Sequence, residues 1–68
     1  MPEKTFKLIE IVGTSGESFS RAVDNGVEKA SASLEDLRWF EVTNLRGCVV
    51  DGKVTEFQVT LKVGFRLH

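Results

Sequence analysis

The chain has 68 residues, with 9 Lys and Arg against 10 Asp and Glu, a single His and a formal net charge of −1. Charged residues make up 28% and hydrophobic residues 41%, the balance of a folded globular chain and not of a disordered one. The length suits one domain, taken as residues 1–68, and the near-neutral charge supplies no basic surplus for nucleic acid or an anionic membrane.

Cysteine usage sets the expected compartment. A lone Cys48 cannot close an internal disulfide, which fits a reducing cytoplasm. One Cys and one His make no metal-ligand cluster. Met1-Pro2-Glu3-Lys4 carries no apolar run of signal-peptide type, and no segment approaches the ~18 apolar residues of a membrane helix. The reading is a soluble cytoplasmic protein. A core this small, without disulfide or metal, calls for added buried surface, and oligomerisation is the usual source.

Thr5 to Val12 is β-branched and apolar on both parities and predicts a strand. Gly13-Thr14-Ser15-Gly16 predicts a turn, with Ser15 or Ser18 as helix N-cap and Glu17 in the first turn. From Ser18 to Leu34 the period changes. Phe19, Ala22, Val23, Val27, Ala30 and Leu34 recur at three- and four-residue steps, the stripe of an amphipathic helix. Gly26 on that stripe predicts close approach of helix to sheet.

The remainder reads as a long hairpin, Leu37–Val50 and Lys53–Leu67, joined by an Asp51-Gly52 type I′ turn. A two-residue loop fixes the register. It pairs Trp39 with Gly64, Phe40 with Val63, Glu41 with Lys62, Val42 with Leu61, Thr43 with Thr60 and Leu45 with Gln58. The order is β-α-β-β in the α+β class, one helix on one face of a three-stranded antiparallel sheet. On this register Arg38 and Arg46 fall on the helix side, and Trp39, Gln58 and Arg66 on the outer side.

The outer face carries the functional signal. Trp39, the only Trp, stands opposite a residue with no side chain, on a face with no covering layer. An indole so placed is an interface anchor or a platform for a flat ligand. Gln58 lies six rungs along the hairpin, about 20 Å at strand rise. One small ligand touching both therefore takes them from different chains. Cys48 reads as a small filler residue, and His68 as disordered. No base–nucleophile pair suggests catalysis.

Val12-Gly13-Thr14-Ser15, Trp39-Phe40-Glu41-Val42, Phe57-Gln58-Val59-Thr60 and Val63-Gly64-Phe65-Arg66-Leu67 occur in the order and spacing of the dodecins, which this chain resembles over almost its whole length. The resemblance implies a sheet wrapped part-way round the helix and a hollow homododecamer. It implies flavin binding for storage, buffering and photoprotection, without enzymatic activity. By the same resemblance Trp39 stacks on the isoalloxazine ring and Gln58 hydrogen-bonds its polar edge. Two flavins then stack as a pair between tryptophans at a two-fold axis. Arg46 and Arg66 match arginines of the bacterial branch, where the preference leans to FMN. Riboflavin, FAD and coenzyme A are further ligands it suggests. The alternative is a structural module in which Trp39 anchors an interface and no ligand binds.

Overall fold

The computed structural model describes residues 3–68; Met1 and Pro2, part of the leader reading, lie outside them. The elements are β1 (Thr5–Ser15), α1 (Phe19–Ser31), β2 (Leu37–Val50) and β3 (Lys53–Leu67). All pairing is antiparallel, and the sheet order is β1-β3-β2. The expected β-α-β-β fold is therefore the observed one. Its central strand is the last in sequence.

β1 runs three residues past its expected end. Gly13, Thr14 and Ser15 are not a turn but pair with Val59, Gln58 and Phe57. Gly13 serves packing instead. A Cβ there would strike the Ala22 carbonyl and lie 3.2 Å from the Gly26 Cα. The two glycines let α1 settle directly on the sheet, so the expected role of Gly26 holds. Ser18 is the N-cap, its side chain accepting from the Arg21 N–H at 3.0 Å. Glu17 precedes the helix and is not in its first turn, and it bonds Arg21 at 3.3 Å. Ser15 accepts from the Glu17 N–H at 2.9 Å and so ties strand end to helix start.

The helix stops at Ser31, short of the expected Leu34. The Ser31 and Ser33 hydroxyls bond the carbonyls of Glu28 and Ala30, and the Leu34 N–H also reaches Ala30 O, at 2.9 Å. Side chains that compete for helix carbonyls in this way favour an ending. A turn follows in which Asp36 has φ 61°. The hairpin turn is as expected, with Asp51 and Gly52 both left-handed at φ 51° and 76°.

The core is Ala22, Val59, Leu61 and Val63, with Ile9, Ile11, Val23, Val27 and Leu37 packed round it. α1 lies on β1 and β3, so Phe40 and Val42, expected beneath the helix, remain half exposed. Beyond the helix the β2–β3 arm carries exposed Leu45, Val49, Val50 and Val54. The molecule measures 56 × 20 × 14 Å.

Candidate functional site

The hairpin register steps at three places, between Leu37 and Trp39, Val42 and Asn44, and Cys48 and Val49. Between the first two steps the expected pairs hold, among them Trp39–Gly64 and Glu41–Lys62. Past Val42 they do not. Thr43 is the extra residue of a β-bulge, its hydroxyl donating to Thr60 O at 3.2 Å. Asn44 then pairs with Thr60, Leu45 with Val59 and Arg46 with Gln58. A one-residue shift turns every later side chain to the other face. Leu45 thereby moves to the helix side. Arg46, expected there, moves to the outer face beside Gln58.

The site thus has two separate poles on one face. At the first, the Trp39 indole lies over the central strand. A Cβ built on Gly64 would come within 2.5 Å of its ring carbons. The missing side chain leaves the bed on which the indole rests. Phe6, reaching across from β1, meets the indole edge-on, with centroids 4.9 Å apart and planes at 67°. Trp39 is nonetheless 43% exposed.

The second pole is a polar cluster. Arg46 Nε donates to Gln58 Oε1 at 2.7 Å, and Gln58 Nε2 donates to Glu56 Oε1 at 2.8 Å. Cys48 is more than filler. Its Sγ lies 3.5 Å from Gln58 Nε2 and 3.9 Å from Glu56 Oε1. The amide is thus oriented, oxygen toward the cation and nitrogen toward the carboxylate. An amide has two acceptor lone pairs and two donor hydrogens, so Gln58 keeps hydrogen-bonding capacity. Trp39 and Gln58 lie six rungs apart along β3, about 20 Å, so the two poles of one chain do not converge on one small ligand.

Arg66 pairs with Phe6 on the outer face, near the Trp39 pole. Its Nε is buried without a hydrogen-bond partner among the described residues. His68, expected to be disordered, bonds Asp36 at 2.7 Å. The Arg38 guanidinium and His68 on the Asp36 carboxylate hold its pKa down to about 2. Among the described residues no group of three or more His, Cys, Asp or Glu gathers as a metal site would. No helix among them is long and apolar enough to cross a membrane.

Sequence reasoning missed Phe6, Glu56 and the Cys48 contact. Phe6 is brought in by the β1–β3 pairing, which no local pattern announces. Glu56 and Cys48 stand as a pair only because Thr43 is bulged, since the even register puts Cys48 opposite Thr55.

An indole on a glycine bed and a polar cluster far along the same face are the marks of this small α+β chain of β-α-β-β order. Residues 5–68 match the family model described as Dodecin. The Dodecin of Thermus thermophilus is 44% identical over 65 residues, 96% of this chain and 94% of that one. The structure of a dodecin from Streptomyces davaonensis superposes with a TM-score of 0.95 at 46% identity, covering 98% of each chain. A relative from Mycobacterium tuberculosis named Calcium dodecin is 34% identical over 65 residues, 93% of this chain and 89% of that one. The chain belongs to the dodecins, a family of small oligomeric binding proteins.

Proposed function

We propose that this dodecin binds a flavin, FMN or riboflavin, for storage and sequestration within a homododecamer, the 68 residues acting as one flavin-binding domain. The observation that carries the reading is the Trp39 indole, bedded on Gly64, braced by Phe6 and still 43% exposed. A planar aromatic ring fits that platform, with stacking worth about 1–3 kcal/mol by analogy with base stacking.

The remaining residues fit the other parts of such a ligand. Gln58, held between Arg46 and Glu56, offers acceptor and donor to the polar ring edge. It serves a ring stacked on another copy's Trp39, as the 20 Å separation requires. Two rings stacked between symmetry-related indoles complete the arrangement. For the phosphate of FMN the two arginines differ. Arg46 Nε is committed to Gln58, whereas Arg66 Nε, buried near the indole, has no hydrogen-bond partner among the described residues. That difference favours Arg66 as the phosphate partner.

A bound flavin brings a photoexcitable ring, and an electron-rich indole in contact quenches such a ring by electron transfer. Trp39 then has two tasks, holding the ligand and suppressing its photochemistry. A ring face closed by a second flavin leaves no access for a substrate, which supports a binding role over an enzymatic one.

The test is a titration of FMN with the purified chain, following flavin emission and the size of the assembly. Loss of flavin emission at saturation supports the proposal. Full emission at micromolar protein, with the assembly intact, would leave Trp39 as an interface anchor.

A further inference from the structure

We propose that Asp36 is a positioning residue for Trp39, fixing the one-residue step of register that lets Leu37 face the helix while the indole, two residues on, faces outward. Its effect on ligand binding rests on the flavin reading above; its effect on the indole does not.

Leu37 pairs with Phe65 and Trp39 pairs with Gly64, so Arg38 is the extra residue between them. Continuing the Leu37 register would set Arg38 opposite Gly64 and Trp39 opposite Val63, on the helix side. Trp39–Gly64 keeps the register of the hairpin turn, and the bulge at Arg38 lets Leu37 join the core on the helix side without drawing the indole off its glycine bed. The Arg38 side chain is drawn back to Asp36 by two bonds, Nε to Oδ1 at 2.5 Å and Nη2 to Oδ2 at 3.2 Å. The same Oδ2 meets His68 Nε2 at 2.7 Å, and the Asp36 carbonyl accepts the Arg66 N–H at 3.1 Å. One residue therefore ties the turn after α1, the bulge in β2 and the end of β3.

Two features show that the position is a specialised one. Asp36 has φ 61°, a left-handed backbone that Asp tolerates better than most residues. Its carboxylate faces two donors from different strand ends, Arg38 and His68. An exposed ion pair contributes little to global stability. Its consequence here is local, since Trp39 is the next residue after the one it clamps.

Because Trp39 is the only Trp, its emission reports the clamp directly. Three full-chain variants are compared with the unmodified protein: Asp36→Gly, which keeps the left-handed backbone and removes the carboxylate, Arg38→Ala and His68→Ala. The readouts are Trp39 emission maximum and anisotropy without ligand, FMN and riboflavin affinity, and assembly size. With assembly size unchanged, Asp36→Gly and Arg38→Ala shift the emission and lower the anisotropy. They weaken FMN and riboflavin alike by roughly two- to fivefold, the scale of an exposed ion pair. His68→Ala moves in the same direction by less. Unchanged Trp39 emission and anisotropy in Asp36→Gly overturns the proposal. If the unmodified protein takes up neither ligand, the flavin reading falls, and the ligand-free emission still decides the role of Asp36. Should Asp36→Gly fail to assemble, Arg38→Ala and His68→Ala decide it by the same two spectral readouts.

Discussion

Gly64 and Trp39 are one device made of two residues. The glycine's Cα hydrogen forms the bed, and the indole uses the space that any side chain would fill. Gly64→Ala puts a methyl group against the indole carbons at 2.5 Å, so the indole must move away. We expect that variant to weaken flavin binding by about as much as removing the stacking partner, tenfold or more. Trp39→Ala should show the same loss with the assembly retained. Flavin fluorescence titration of both variants checks this, and equal affinity for all three proteins would remove the indole from the site. The arginines separate by ligand. Arg66→Ala should cost FMN about tenfold and riboflavin almost nothing, the size of a charge-assisted contact. A parallel titration of the two ligands reads this, and equal losses for both would make Arg66 a subunit contact.

Among the elements, the two hairpin strands and their turn were legible because their chemistry is local. Asp51-Gly52 supplies two left-handed residues, and the alternation of Val59, Leu61 and Val63 marks the buried face of β3. The bulges were not legible. Arg38, Thr43 and Thr55 carry no feature that distinguishes them from ordinary strand residues. Their extra lengths are set by how two long strands twist against a helix that covers only part of them. That is why the outer-face positions of Trp39 and Gln58 could be read while the side of Arg46 could not. Gly13 misled for a related reason. In sequence a glycine between strand and helix signals a turn, whereas here it admits the helix backbone. Gly13→Ala should lift α1 and destabilise the fold by about 1–3 kcal/mol, measured by thermal unfolding. A melting temperature equal to the unmodified protein would mean the contact is softer than its geometry indicates. The clamp at the start of β2 also gives a pH expectation. The Asp36 carboxyl is held at about 2 against an ordinary 3.8, so its contribution is present above about pH 4 and is lost as pH falls toward 2. Trp39 emission should change across that interval, and Asp36→Asn should remove the change.

At the scale of the whole molecule, the chain is too extended to be its own solvent barrier. Its radius of gyration is 14.2 Å, against about 11 Å for a compact domain of this length. Phe40, Val42 and Leu45 line the helix side of β2 without a cover, and they are 50, 40 and 57% exposed. Such an uncovered apolar row is the kind of surface that a subunit interface buries. A dodecamer is expected by light scattering at micromolar protein, and a stable species of 7.6 kDa would contradict it. Apparent stability should also fall on dilution, as mass action requires when folding and association are linked.

The sheet order has a consequence for how the chain comes to be folded. β1 and β2 are separated in space by β3, so neither has a sheet partner until β3 has been made. A growing chain therefore emerges as one unpaired strand, a 13-residue helix of marginal standing alone and a second unpaired strand. Nothing in the first two thirds of the sequence can nucleate the sheet early. Closure is a late event that joins residues far apart in sequence, Thr5 with Leu67 at the extreme, and contacts of that kind are slow to form. A ribosome stalled before β3 would hold a chain with no sheet at all, and one that finishes releases a chain whose local β2–β3 hairpin can form before β1 closes on it.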